Sequence, residues 1–483
     1  MDKTAVILVD TIASSYIKQP LNSKNQSSWE IVREKADLLG FTTYAFSKED
    51  RPGFLAFGGD LYSLLHQMDA SLTPASHYLF LHTHMPLVDL GLCRALLKAH
   101  VANLADYSFA EHYPAGFAPF VLSHSTFKKL LMLSKGNNAP YDENILEKFI
   151  HQDINAYDVE ILLAPEDMRF IRDAFVITDK RSFSLVQSLI DLEIKADNLL
   201  EVFRDNPALL RPLPTLVNIE LTSQADAYPL YSAFPLQNQG KGHMDTETLG
   251  KILQELSDWA QNAVVDLSGM GDPALHSHGQ GILGQLALYP DFRYFFTSRG
   301  SQRVFLEEAL SLLPQLTVIL SLDAADDPSY QIVWGKGDFH AIEETAATLL
   351  EKFPGRVYLQ FTRMRENEDS LDAFFQRFRV FKDYLLVNKY NSFCNSLPDR
   401  KVVDLSPLTR FPCWKLQREL YIHWDGSVSL CAQDFEKLNV LGKWGEKSLK
   451  EIWGEMNLIY LSHWQKQYPG LCKNCDEWYI FNF

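Results

Sequence analysis

Leu420-Tyr421-Ile422-His423-Trp424-Asp425-Gly426-Ser427-Val428-Ser429-Leu430-Cys431 is the stretch on which the reading of this chain turns. Alternating apolar residues flank Asp425-Gly426, the dipeptide suited to a tight two-residue turn, so a β-hairpin is predicted. Cys431 closes the hairpin and Cys413 precedes it. Further on, Ser448-Leu449-Lys450-Glu451 carries the Ser-x-x-Glu capping box of a helix start. That helix or its successor leads to Cys472-Lys473-Asn474-Cys475. A CxxC places two sulfurs within reach of one metal, and the hairpin carries a cysteine near each end. In a reducing compartment such a cluster ligates metal more often than it forms disulfides. Four thiolates satisfy either a [4Fe–4S] cluster or a structural zinc, and ligand softness leaves both open. The other two cysteines, Cys93 and Cys394, stand apart. Trp414, Trp424, Trp444, Trp453, Trp464 and Trp478 lie in the same tail, as expected of a small module shielding a site with large side chains.

The whole chain bounds this reading. Its 483 residues predict two to four domains, and a formal charge of −16 opposes nucleic acid or an anionic membrane as partner. Its apolar runs are too short for a spanning helix. The start MDKTAVILVD has no basic region or cleavage site, so no signal peptide is read and the expected location is cytoplasmic.

Upstream of the tail, short apolar runs alternate with amphipathic segments. Strands are predicted over 5–9, 78–82 and 159–163, with helices over 29–39 and 90–100, implying a mostly parallel sheet. Pro165-Glu166-Asp167 reads as a helix start and 191–206 as a polar helical connection. Arg211-Pro212-Leu213-Pro214 marks a boundary. Six further strands follow, over 216–221, 264–267, 294–297, 316–322, 357–361 and 384–388. Intervening helices make this an open or partial β/α barrel, with chemistry expected at the C-terminal strand ends.

Pro412-Cys413, the segment through Cys431, Asp434, Leu441-Gly442, Ser448 to Trp453, His463 and Cys472-x-x-Cys475 with Trp478 together resemble the SPASM auxiliary-cluster domain. The resemblance implies a [4Fe–4S] cluster rather than zinc on Cys413, Cys431, Cys472 and Cys475, one cluster where many relatives carry two. SPASM domains usually follow a radical SAM core, and the middle region is similar to one. Ile219-Glu220-Leu221-Thr222 resembles the strand before the cluster loop. Leu267-Ser268-Gly269-Met270-Gly271-Asp272-Pro273 resembles the segment that holds the methionine end of S-adenosylmethionine. Thr297-Ser298-Arg299-Gly300, Ser321-Leu322-Asp323 and Gln360-Phe361-Thr362-Arg363-Met364 follow in the family's order. The CxxxCxxC that should come after Thr222 is absent; Ala225, Pro229 and Ser232 stand in its place. A methyl group and a proline ring cannot ligate iron, and serine oxygen is a poor match. Two readings remain for Gly269, Gly271 and Asp272: a tight strand-to-helix turn, or residual S-adenosylmethionine binding.

Leu81-His82-Thr83-His84-Met85-Pro86-Leu87 and Leu104 to Pro119 resemble nucleotidyltransferases of the GT-A fold. That chemistry needs carboxylates on Mg²⁺, yet the matching positions hold His84 and Leu163. The nucleotide loop after the first strand is replaced by Asp10-Thr11-Ile12-Ala13-Ser14-Ser15. His82 and His84 share a strand face, where a two-ligand metal site competes with hydrogen-bonded histidines. Asp106, Glu111 and His112 read as loop and cap residues.

The expected α/β architecture has three domains: a degenerate GT-A-like domain over 1–205, a radical-SAM-like partial barrel over 211–405 and a SPASM iron–sulfur module over 406–483. This combination resembles the spiro-SPASM proteins of spirochaetes. The expected function is that of an iron–sulfur protein without radical initiation, serving structure, electron transfer or recognition of a protein, peptide or sugar-linked partner. Two alternatives stand beside it: a noncanonical S-adenosylmethionine- or nucleotide-dependent enzyme acting on a peptide or cell-envelope precursor, and a zinc-stapled scaffold. No catalytic residue is assigned.

Overall fold

Val6 and Leu8 on the first strand, β1 (Thr4–Asp10), pack with Val32, Cys93 and Leu96 on one face, while Ala5, Ile7 and Val9 pack with Leu61, Leu64 and Phe127 on the other. Burial on both faces explains why the strand reads as one unbroken apolar run. The computed structural model describes residues 3–10, 14–192, 194–237 and 240–480, which fall into two units, 1–212 and 213–483.

In the first unit β1 is followed by β2 (Thr42–Ser47), β3 (Leu55–Ala56), β4 (His77–His82), β5 (Tyr107–Glu111), β6 (Phe120–Ser123) and β7 (Val159–Leu163). The sheet order is β3-β2-β1-β4-β6-β5-β7. The sheet is mostly parallel, as expected; the exception is β6, which runs antiparallel to both β4 and β5. Only residues 112–119 separate β5 from β6. Parallel neighbours need a crossover of about a dozen residues or more, so this short return is antiparallel.

The helix expected to open at Pro165-Glu166-Asp167 does not form. Asp167 accepts the Arg169 backbone N–H at 2.9 Å, and Met168 and Phe175 donate their N–H groups to the carbonyls of His112 and Ala115. Those donors are tied to the β5–β6 loop and leave no helical ladder. Of the connection over 191–206, Leu199–Asp205 is α-helical; Glu193 lies outside the described residues.

The second unit holds the six expected parallel strands in sequential order: β8 (Leu216–Ile219), β9 (Val264–Asp266), β10 (Arg293–Ser298), β11 (Leu316–Ser321), β12 (Val357–Arg363) and β13 (Leu385–Lys389). The row does not close, so the barrel is open. On its β8 edge it continues into β14 (Glu419–Ile422), parallel to β8, and then into β15 (Ser427–Ser429) and β16 (Val440–Lys443). The hairpin of the cysteine tail is therefore hydrogen-bonded into the barrel sheet, with Tyr421 opposite Asn218 and Ile422 opposite Ile219. No described helix is long and apolar enough to cross a membrane.

Candidate metal centre and the barrel mouth

The C-terminal ends of β8 to β13 open on a cavity of about 270 Å³. The loop after β8, at the positions of the expected cluster cysteines, forms one wall with Ala225, Pro229 and Ser232. Side chains tie this loop down. Asp226 pairs with the buried Arg299 at 3.2 Å, and the Tyr231 hydroxyl donates to Asp323 at 2.8 Å. Arg299 also donates to the Tyr330 hydroxyl and the Lys336 carbonyl, both at 2.7 Å. Leu230 N–H bonds the Val333 carbonyl. Burial pushes Asp323 up to about 6, against the lowering effect of the Thr362 N–H and the Tyr231 hydroxyl.

Gly269, Gly271 and Asp272 lie at the same mouth. A Cβ on Gly271 would stand 2.4 Å from the Thr222 carbonyl oxygen and 2.6 Å from that of Gln224. The Asp272 N–H bonds Gln224 O at 2.7 Å. Its carboxylate accepts from the Ser298 hydroxyl at 2.8 Å and from the backbone N–H groups of Arg299 and Ala274 at 3.0 and 2.9 Å. The segment thus builds the turn that packs against the β8 loop, and its carboxylate is already satisfied from within the chain.

Cys413, Cys431 and Cys472 are buried and Cys475 partly so. The two-residue turn at Asp425-Gly426 positions Cys431, while Cys472 lies within a 3₁₀ turn over Gly470–Asn474 and Cys475 caps its end. Burial raises the thiols of Cys413 and Cys431 and pushes Cys472 up to about 12, and in all three the neighbouring Cys475 adds to the rise. The four cysteines therefore lie within electrostatic reach of one another. Among the described residues, no group of three or more His, Cys, Asp or Glu side chains is arranged as a metal shell. The donor set nonetheless suits a group that takes thiolates, since several thiols share one buried place and the shell is built of large rings. Phe411 packs on Trp414 and Trp478 at 4.5 and 4.7 Å, and Arg410 lies 3.8 Å over Tyr468 while donating to the Cys472 carbonyl at 2.8 Å.

Two features were not legible in the sequence. Cys394, distant in the chain, comes near Cys475, and that nearness raises the Cys394 thiol and lowers that of Cys475. Glu220, ahead of the β8 loop, meets His423 of the hairpin at 3.3 Å, and His423 Nε2 reaches the Ser429 hydroxyl at 2.7 Å. All three are buried and do not line the barrel cavity. They join the C-terminal end of β8 to the hairpin that carries Cys431.

In the first unit, Asp10 is filled by its own neighbours. It accepts from the Thr83 hydroxyl at 2.7 Å and the Ser47 hydroxyl at 3.2 Å and pairs with Arg51 at 3.1 Å. Thr11, Ile12 and Ala13 of the loop that follows lie outside the described residues. His82 and His84 are buried with ring centres 5.5 Å apart. His82 bonds the Tyr141 hydroxyl at 3.2 Å, and Glu143 stands 3.8 Å from His84. Burial lowers them to about 4 and about 3. Leu163 is 55% exposed at the end of β7, so it offers neither a ligand nor a packed wall. Asp106 takes the hydroxyls of Ser123, the N-cap of the helix His124–Leu133, and of Thr126.

Residues 413–476 match the SPASM family, an iron–sulfur cluster-binding domain. An uncharacterized protein of Treponema pallidum (strain Nichols) is 31% identical over 354 residues, which cover 69% of this chain and 97% of that protein. The chain belongs to the family of that protein, and its residues 413–476 carry the SPASM match. Among solved structures, BtrN in complex with AdoMet and 2-DOIA is 16% identical, over 55% of this chain and 94% of its own, with a TM-score of 0.38. A cytidylyltransferase from Leptospira borgpetersenii is 14% identical, over 43% of this chain and 97% of its own, with a TM-score of 0.36.

Proposed function

We propose that this protein holds one [4Fe–4S] cluster on its C-terminal cysteines and does not start radical chemistry in its barrel. The observation that carries the second half is the β8 loop, where Asp226–Arg299 and Tyr231–Asp323 hold in place a segment whose residues at the expected cluster positions are Ala225, Pro229 and Ser232. Reductive cleavage of S-adenosylmethionine needs a cluster with an open iron, and these side chains supply no thiolate for one. The internal use of the Asp272 carboxylate supports reading Gly269 to Asp272 as a turn rather than a cofactor grip.

Cys413, Cys431, Cys472 and Cys475 would hold the cluster, which when bound supplies a one-electron donor or acceptor. The chain's own part is to shield that site with Phe411, Trp414 and Trp478 and to join it, through β14 and the Glu220–His423 contact, to the C-terminal end of β8. The barrel mouth, lined by Ser268, Thr297, Gln360, Asn388 and Lys389, offers hydrogen-bonding groups to a peptide or sugar-linked partner. The first unit then acts as a retained GT-A-like fold with an occupied nucleotide corner, in a three-domain, cytoplasmic protein.

Anaerobic purification with iron, sulfide and zinc analysis and an EPR spectrum tests the cluster. About four irons and four sulfides per chain are expected, with no 5′-deoxyadenosine formed after dithionite reduction. Zinc in place of iron would replace the cluster by a scaffold, and many turnovers of S-adenosylmethionine cleavage would restore the radical enzyme. No pyrophosphate should be released from CTP, a sugar phosphate and Mg²⁺.

A further inference from the structure

The first unit holds a cavity of about 1090 Å³ that no site described above uses. Its walls come from the helix Ser28–Leu38, the turn after β4, the start of the helix Leu90–Ala102, and Ile190 with residues 194–197. Lys35 enters this wall from the first of these helices. Its Nζ donates to the carbonyls of Pro86 and Val88 at 2.8 and 2.9 Å. An ammonium has three hydrogens, so the turn takes two and one is left for the cavity that Lys35 lines. The side chain is half-buried, and among the described residues no carboxylate stands within salt-bridge range of it. Asp89 acts on it from further off, but Leu92 N–H and Ala196 N–H donate to the two Asp89 oxygens at 2.7 and 3.0 Å. Burial lowers the Lys35 ammonium to about 8, against the raising effect of Asp89 and Cys93. A cation taken out of water without a counter-ion is costly, and an anion beside it relieves that cost.

The rest of the lining narrows the kind of anion. Lys24, Arg94 and Lys195 join Lys35 around the cavity against Glu34, Asp89 and Asp197, a surplus of one positive charge among the described residues. That balance suits a monoanion better than a phosphate, which carries about two negative charges at neutral pH. Ile31, Leu38, Leu87, Leu90, Ile190 and Ile194 give the same cavity an apolar wall, and Leu38 is left 59% exposed in it. An apolar cleft with few polar groups binds a ligand by its body and orients it by its head. We propose that this cavity binds a small amphiphilic carboxylate, its head on the remaining Lys35 N–H and its hydrocarbon body against Ile31, Leu38, Leu87 and Ile190. The head gains a charge-assisted hydrogen bond and the body leaves water, so charge and chain are both needed. The first unit, whose corner at Asp10 is filled by Thr83, Ser47 and Arg51, thus carries a ligand site of different chemistry elsewhere.

Equilibrium dialysis of the full chain against decanoate, below its micellar concentration, tests this, with decanol, acetate and decyl phosphate as comparisons. One decanoate per chain is expected. Decanol lacks the charge and acetate the chain, so each should bind at least about tenfold more weakly. Decyl phosphate should also bind more weakly than decanoate. Lys35→Met keeps an apolar stem and removes the ammonium, so it should weaken decanoate about tenfold and leave decanol unchanged. Absence of decanoate binding, equal affinity of wild type and Lys35→Met for decanoate, or decanol or decyl phosphate binding as tightly as decanoate overturns the proposal. If circular dichroism shows that Lys35→Met does not fold, hydrogen exchange on the wild type decides. Decanoate should slow the amides of residues 87–92 and 194–197, and exchange there unchanged at saturating decanoate overturns the site.

Discussion

The Tyr231 hydroxyl donates to the Asp323 carboxylate at 2.8 Å, fastening the loop after β8 to the end of β11. Asp323 is fully buried, and its backbone has a φ of 60°. A hydrogen bond to a charged acceptor contributes about 1.5–3 kcal/mol. Tyr231→Phe should therefore destabilise the second unit by roughly that amount in urea unfolding, with faster amide exchange in the loop after β8. A loop that exchanges at the wild-type rate would show that Tyr231 does not hold it.

Arg299 should matter more than its partner. It is buried and serves Asp226, Tyr330 and Lys336 at once, whereas the Asp226 side chain is 35% exposed. Breaking a buried charge network costs about 3–5 kcal/mol when it strands a partner. Arg299→Ala should approach that range and Asp226→Ala should fall well below it. Arg299→Lys should not rescue, since one ammonium cannot reproduce the guanidinium fork. Equal losses in the Arg299→Ala and Asp226→Ala variants would contradict this ranking.

Acid should act on the two units in opposite senses at named positions. His82 and His84 have folded values lowered by burial to about 4 and about 3, so between there and about 6.5 the unfolded chain binds more protons, and their contribution to stability is lost as pH falls below about 6.5. Asp323 is raised by burial to about 6, so the folded chain binds the extra proton and gains stability as pH falls from about 6 to about 4. Native-state hydrogen exchange, corrected for intrinsic rates, resolves the units. The pH dependence of the first should flatten in His84→Gln, and Asp323→Asn should remove the acid-side gain near β11.

Gly271→Ala distinguishes packing from cofactor binding. The new methyl would meet the Thr222 and Gln224 carbonyls, and overpacking of this kind costs about 1–3 kcal/mol. The melting temperature should drop without S-adenosylmethionine present, and adding S-adenosylmethionine should change neither wild type nor variant. Gly284→Ala, in the helix Gly279–Ala287 with nothing within 4 Å, should instead add about 0.5–1 kcal/mol. A wild-type melting temperature raised by S-adenosylmethionine would revive the cofactor reading of Gly269 to Asp272.

Local order was legible in the residues. Unbroken apolar runs placed β8 to β13 in sequence, Asp425-Gly426 placed the hairpin, and the cysteines of the tail with their neighbours marked the SPASM domain, because periodicity, turn chemistry and motif spacing act over a few residues. The loss at Ala225, Pro229 and Ser232 could likewise be read directly, since side-chain chemistry needs no fold to be recognised. What fills that loss could not. Asp226 finds Arg299 and Glu220 finds His423 through pairings between residues far apart in the chain, and β6 turns antiparallel because its connection from β5 is short. Such contacts depend on which strand ends converge and on which buried groups must satisfy one another, and that is decided only once the sheet has brought them together.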